Sequence, residues 1–111
     1  MTQKALQTID DSGFIEQIIL QKSDALVKFS SPWSWSGQLL DQTLMDLAGE
    51  YDGKVRFYAV DYDEHSALSA TYRLEAVPTL LFFKKGSLVD RLSGLAHKEV
   101  IANKIDRLIN I

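Results

Sequence analysis

The sequence predicts an α/β protein in which a mixed β-sheet lies between two layers of helices. Segments with the pattern of strands alternate with segments of helical spacing along the chain. The run LLFF at 80–83 is apolar at every position, as expected of a strand that helices cover on both faces. Two strand-like segments flank Lys85 and Gly86, which predicts an antiparallel hairpin. Together these observations favour a three-layer α/β/α sandwich.

The elements follow one another in the order βαβαβαββα. The predicted strands are 5–9, 25–29, 54–63 and the two halves of 79–94. The predicted helices are 11–22, 37–53, 66–74 and 97–111. Three of these helices each present one apolar face, which consists of Phe14, Ile15, Ile18 and Ile19 in the first, Leu40, Leu44, Leu47 and Tyr51 in the second, and Ile101, Ile105, Leu108 and Ile109 in the last.

Length and composition limit the possible functions. The 111 residues, 46% of them apolar, predict one domain over 1–111 with a single core. The formal net charge is −3 and the basic residues are scattered, so no nucleic-acid partner is predicted. No segment has the roughly 18 apolar residues of a membrane span, and the N-terminus lacks the pattern of a leader. We therefore expect a cytoplasmic protein with no membrane partner.

Cofactor chemistry is not predicted by this sequence. The chain contains no cysteine, which excludes disulfides, zinc–thiolate sites and thiol catalysis. No glycine-rich phosphate loop follows a strand, and His65 and His97 are isolated, each at the start of a predicted helix. We expect no metal, nucleotide or flavin.

The segment from 25 to 95 resembles the thioredoxin family. The family pattern is a strand ending in Phe, a WCGPC turn, a long helix, a strand ending near an Asp, a VPT or IPT turn, and then a strand, KxG, a strand and a Gly. The matching residues occur here in that order: Phe29, Trp33, Asp61, VPT at 77–79, KKG at 84–86 and Gly94. The resemblance covers nearly the whole chain and implies the thioredoxin fold and a family of thiol–disulfide oxidoreductases.

The turn that carries the chemistry of that family is different here. In register with WCGPC the chain reads WSWSG, so Ser34 stands at the position of the nucleophilic cysteine and Gly37 at that of the resolving cysteine. Disulfide exchange needs a thiolate, which a serine hydroxyl does not replace at neutral pH. As written, the chain is predicted to be redox-inactive.

The proton relay that the resemblance implies is missing as well. Family members commonly carry a buried acid before the Phe of the strand and a Lys on the next strand, and these positions are Lys28 and Ala59 here. A lysine on a central strand is unfavourable unless its ammonium group reaches water or a carboxylate. Asp61 on the neighbouring strand is the predicted partner of Lys28.

The serines of the turn also have a structural interpretation. Serine is favoured just before a helix because its side-chain oxygen accepts a hydrogen bond from a free N–H of the first turn. We therefore expect Ser34 or Ser36 to cap the long helix. Serine hydrolysis is not favoured, since the chain has no GxSxG segment and no histidine near the turn in sequence.

The two tryptophans of the chain indicate a binding surface. Trp33 and Trp35 flank a turn at the C-terminal end of a strand, where ligands tend to bind in open α/β sheets, so at least one should be exposed. Packing of Trp33 on the Pro78 turn is the other interpretation. The resemblance implies a cis Val77–Pro78 bond that faces the turn and a Val77 backbone that pairs with an extended segment. The predicted groove for a protein or peptide partner consists of Trp33, Ser34, Trp35, Ser36, Val77, Pro78 and Gly94.

Three functions remain open at this point. In the first, the protein is a naturally redox-inactive member of the family that binds a partner at this groove. In the second, it is a monothiol oxidoreductase whose cysteine at position 34 has been replaced by Ser34. In the third, it is a structural subunit that uses another face. A cysteine introduced at position 34 separates the first two, and the loss of Trp35 tests the third.

Overall fold

A five-stranded mixed sheet forms the centre of the molecule in the computed structural model, which describes residues 6–64 and 66–111. The strands are β1 (Gln7–Thr8), β2 (Ala25–Ser30), β3 (Arg56–Asp61), β4 (Thr79–Lys84) and β5 (Ser87–Ser93). Their order across the sheet is β1-β3-β2-β4-β5. The pairs β1–β3 and β2–β3 are parallel, whereas β2–β4 and β4–β5 are antiparallel. The predicted mixed sheet and its hairpin are confirmed.

Helices connect these strands in the predicted order. They are α1 (Asp11–Phe14), α2 (Trp35–Glu50), α3 (Ser66–Thr71) and α4 (Lys98–Ile109). The start of the first predicted strand and His65 lie outside the described residues. No helix of the described residues is long and apolar enough to cross a membrane.

The helices lie on both faces of the sheet, which makes the predicted three layers. On one face, Phe14, Ile18 and Leu68 pack with alternate residues of β2 and β4. On the other face, α2 and α4 pack against the intervening residues, which include Leu26, Leu80 and Phe82. All four residues of the LLFF run are fully buried, since its side chains point alternately into the two layers.

The first helix differs from its prediction. Asp10 caps α1 by accepting a hydrogen bond from Gly13 N at 2.8 Å, but α1 continues as a π-helix over Ile15–Leu20. The wider turn of a π-helix changes which side chains share a face. Phe14 and Ile18 are buried as expected, whereas Ile15 is 49% exposed. The predicted position of Ile15 in the core was therefore wrong.

The strand register brings four loops to one end of the sheet. Phe29 pairs with Thr79 and Ser30 pairs with Asp61, so the segments that follow β2 and β3 lie beside the segment that precedes β4. Thr79 also pairs with Ser93 of β5. This end of the sheet therefore gathers the 31–34 turn with the start of α2, the 62–64 segment, the Pro78 loop and Gly94.

Candidate functional site

Ser34 lies at the joint between β2 and α2 and caps the helix. Its backbone is extended, and its Oγ accepts a hydrogen bond from Gly37 N at 3.2 Å, which satisfies a free N–H of the first turn. Ser34 is only 9% exposed. Ser36 is half-buried within the first turn of α2, so Ser34 is the capping serine of the two.

The Ser34 hydroxyl has no catalytic partner among the described residues. Among those residues the Ser34 Oγ makes one hydrogen bond, which it accepts from Gly37 N, and no carboxylate or imidazole contacts it. His97 is the one histidine within residues 6–64 and 66–111. It lies at the start of α4 and makes no side-chain cap hydrogen bond. Without a base, a serine hydroxyl is a weak nucleophile. The geometry is that of a helix cap.

Both tryptophans project into solvent on either side of Ser34. Trp33 is 74% exposed and Trp35 is 71% exposed. Trp33 Nε1 donates a hydrogen bond to Asp63 Oδ2 at 2.9 Å, so its indole is held against the segment that follows β3. The prediction of at least one exposed tryptophan is confirmed, and Trp33 is not a buried support for the turn.

A side chain at Gly37, the position of the resolving cysteine, would collide with Ser30 unless Ser30 moves. A methyl group on Gly37 would lie 2.0 Å from Ser30 Oγ and 3.0 Å from Ser30 Cβ. Both residues are buried. Contacts below 3.0 Å require something to move, so the Ser30 side chain occupies the space in which a side chain at position 37 would begin.

Lys28 is paired, but not with the predicted residue. Its ammonium group contacts the carboxylate of Asp41 on α2 and lies 3.4 Å from the carbonyl oxygen of Gly37. The predicted partner, Asp61, instead uses Oδ1 to accept hydrogen bonds from the N–H groups of Asp63 at 2.9 Å and Glu64 at 3.4 Å. The prediction was wrong because α2 packs over Lys28 and brings Asp41 to it. The pair ties β2 to the first turns of α2.

One residue of the Pro78 loop, Val77, has backbone groups that no described residue pairs. The Val77–Pro78 peptide bond is cis. Gly94, at φ +82°, donates its N–H to the Pro78 carbonyl at 2.8 Å, and Thr79 Oγ1 donates to the Ala76 carbonyl at 2.7 Å. Within the described part of the chain, the N–H and C=O of Val77 have no hydrogen-bond partner. Val77 is half-buried, and its unpaired donor and acceptor adjoin Pro78, whose carbonyl accepts the Gly94 N–H.

The structure thus brings the predicted groove residues to one end of the sheet, and it adds three that the sequence did not indicate. Ser30 and Asp41 lie beneath the turn, and Asp63 holds Trp33. Asp41 follows Gly37 by one helical turn, which is the one sequence signal that could have placed it beside Lys28. Among the described residues, no group of three or more His, Asp or Glu is arranged to hold a metal ion.

Comparison with known proteins gives one family. A family model described as Thioredoxin matches residues 5–107. A protein described as Thioredoxin from Staphylococcus haemolyticus is 35% identical over 103 residues, which are 93% of this chain and 97% of the relative. Proteins described as Thioredoxin M-type, chloroplastic, are 31% identical over 104 residues in Pisum sativum and 28% over 107 in Spinacia oleracea.

The two plant relatives are longer than this chain. The matches cover 94% and 96% of this chain but 60% and 59% of the pea and spinach proteins, so the chain spans about three-fifths of their length. The bacterial relative, in contrast, matches over nearly its full length. Because the family model covers almost all of the sequence, and the fold is the one that the resemblance implied, the chain belongs to the thioredoxin family.

Proposed function

We propose that this protein binds an extended segment of a partner protein at the tryptophan turn and the Pro78 loop, without redox chemistry. The observation that carries the proposal is the open backbone of Val77 at the same end of the sheet as two exposed tryptophans. An extended segment could pair with the N–H and C=O of Val77 as an added strand. Indole side chains supply a large binding area with few rotatable bonds.

The absence of cysteine supports a binding function over an enzymatic one. The chain has no cysteine, and the hydroxyl at the position of the nucleophile caps a helix. At the position of the resolving thiol, Ser30 fills the space that a side chain would need. A dithiol site would therefore require cysteines at both Ser34 and Gly37, and the Ser30 side chain would have to move.

A monothiol oxidoreductase is the second candidate, and one feature favours it. Position 34 lies at the N-terminus of α2, a helix of 16 residues, where the helix dipole and free N–H groups stabilise a thiolate. If the natural residue at position 34 is cysteine, a single nucleophile could act there. The packing at Gly37 is compatible with this candidate because a monothiol mechanism needs no second cysteine.

Introducing a cysteine tests the two candidates. The Ser34→Cys variant is assayed for reduction of a protein disulfide and of a glutathione mixed disulfide, with glutathione as reductant. Ser36→Cys is the matched control, because it places a thiol at a half-buried position two residues further along that does not cap α2. The proposal expects neither variant to turn over above the uncatalysed reaction with glutathione. Rapid turnover by Ser34→Cys alone would favour the oxidoreductase and overturn the proposal.

Selection of short displayed peptides of random sequence tests binding directly. Since both tryptophans of the chain lie at the turn, burial of the indoles by a selected peptide would change the intrinsic tryptophan emission. We expect Trp35→Ala to lose the selected peptides, whereas Leu20→Ala, which removes a 66% exposed side chain of the π-helix, should retain them. If Trp35→Ala binds as the unchanged chain does, the protein uses another face, and the proposal is wrong.

The compartment remains part of the proposal. We expect the cytoplasm, although the pea and spinach relatives are described as chloroplastic. Localisation of the tagged, full-length protein in its source cell checks this expectation.

A further inference from the structure

The surface around the two tryptophans has a charge that selects its partner. We infer, on the basis of the proposed function, that the bound segment carries Lys or Arg beside its apolar anchor residues. This inference concerns the class of ligand, and the binding itself is tested separately.

Apolar side chains are concentrated at this end of the molecule. Nine large apolar side chains are exposed in the described residues, and four of them surround the groove. Trp35 and Leu39, which is 46% exposed, are four residues apart in α2 and lie on the same face of the helix. Leu95, 52% exposed, follows Gly94 next to the Pro78 loop. We call Trp33, Trp35, Leu39 and Leu95 the tryptophan surface.

Three carboxylates border the tryptophan surface. Asp63 accepts the hydrogen bond of the Trp33 indole at 2.9 Å, and Glu64 is its exposed neighbour. Asp61 Oδ1 accepts hydrogen bonds from the backbone N–H groups of Asp63 and Glu64, which fixes the turn that carries these two residues. None of the three forms an ion pair with a lysine or arginine of residues 6–64 and 66–111. We call Asp61, Asp63 and Glu64 the acidic rim.

The nearby basic groups that the structure describes do not neutralise the acidic rim. Lys28 is buried beneath the turn, and its charge is matched by Asp41. Arg73 lines a recess with Tyr62 and Glu75 and forms no ion pair with Asp61, Asp63 or Glu64. Within residues 6–64 and 66–111 the rim therefore has no compensating cation, and it lies next to the exposed Trp33 indole in a chain whose formal net charge is −3.

This arrangement favours a basic segment over a neutral or acidic one. A partner cation gains Coulomb attraction from the rim and can also lie on the face of an indole. An acidic segment would place like charges side by side. For solvent-exposed pairs, each charge contributes about a 1.4- to 5-fold change in affinity, and added salt weakens it. Two basic residues should therefore tighten binding by about 2- to 25-fold relative to neutral ones.

Peptide selection with a charge-neutralised rim tests the inference. The triple variant Asp61→Asn, Asp63→Asn and Glu64→Gln raises the formal net charge from −3 to zero. A matched control, Glu16→Gln, Asp46→Asn and Glu99→Gln, changes the net charge equally at exposed positions away from the groove. The unchanged chain and the control should select peptides rich in Lys or Arg beside aromatic or branched residues. The rim variant should select peptides with the apolar residues alone.

Salt provides a second readout on one selected peptide and on its Lys→Gln counterpart. Fluorescence anisotropy should show the lysine peptide binding at least twofold more tightly at low salt, with the difference lost at about 1 M salt, where the Debye length is about 3 Å. Selected peptides with no excess of basic residues, or an unchanged preference in the rim variant, would overturn the inference and leave the binding function standing. The selection of no peptide at all would overturn both.

Discussion

The packing of Gly37 against Ser30 predicts opposite effects for the same substitution at two positions of α2. Gly37→Ala would place its methyl group 2.0 Å from Ser30 Oγ and 3.0 Å from Ser30 Cβ. Gly49, near the other end of α2, has no atom within 4 Å of the corresponding position. Gly49→Ala is therefore a control with the same chemistry in the same helix.

The expected magnitudes follow from two opposing effects. Overpacking of a buried site costs about 1 to 3 kcal/mol, and the lower part of that range applies because Ser30 Oγ can rotate out of a long, 3.4 Å hydrogen bond to the Ser31 carbonyl. The higher helix propensity of alanine offsets up to about 1 kcal/mol. We expect Gly37→Ala to lose about 1 kcal/mol of unfolding free energy, and Gly49→Ala to gain about 0.5 to 1 kcal/mol.

Urea unfolding followed by far-ultraviolet circular dichroism measures both variants. The two midpoints should differ by about 1 M, with the unchanged chain between them. Adding Ser30→Gly to Gly37→Ala removes both close atoms, so the double-mutant cycle should show a favourable coupling of at least about 1 kcal/mol. Equal stabilisation by Gly37→Ala and Gly49→Ala, with no coupling to Ser30, would show that the space at position 37 is open and would refute the reasoning.

Three further predictions concern the elements that support the groove. Ser34→Ala should lower the unfolding free energy by about 1 kcal/mol because a helix cap is lost, and Ser34→Gly by less; urea midpoints compare them. Asp41→Asn should lower the unfolding free energy by about 1 to 2 kcal/mol, which is less than for a fully buried pair because the Asp41 side chain is 42% exposed. Adding Lys28→Met should recover most of that loss in the same assay. Tyr51 donates a hydrogen bond to Asp106 at 2.6 Å, which raises the pKa of Tyr51 to about 12. Because the phenol ionises at a lower pH in the unfolded chain than in the folded one, the free energy of unfolding should fall as the pH rises from about 10 to about 12. The fall should be smaller for Tyr51→Phe, and an equal fall in both chains would contradict the pKa shift.

The fold could be predicted because the periodicity of the sequence determines which faces are buried. Leu40, Leu44 and Leu47 repeat at helical spacing and form one side of the core, and the LLFF strand is covered on both faces. The π-helix was not predicted, since its i to i+5 hydrogen bonding has no distinct apolar pattern in so short a segment. The exposed position of Ile15 follows from that difference.

The features beneath the turn could not be predicted in the same way. Ser30 meets Gly37, and Lys28 meets Asp41, only because α2 crosses β2 at a particular distance and rotation. Spacing within one element gives the direction of a side chain, but the partner across a helix–sheet interface depends on how the two elements pack. The contact between Trp33 and Asp63 likewise joins loops 30 residues apart.

The most direct test of the central claim is the rate at which the Ser34→Cys variant reduces a glutathione mixed disulfide, measured beside Ser36→Cys. Ser34 caps α2, the chain has no cysteine, and a side chain at position 37 would collide with Ser30. Our account predicts that neither variant turns over above the uncatalysed reaction with glutathione, because the site binds a partner and does not exchange disulfides. Catalytic turnover by Ser34→Cys that Ser36→Cys does not show would contradict the account and identify position 34 as the nucleophile of an oxidoreductase.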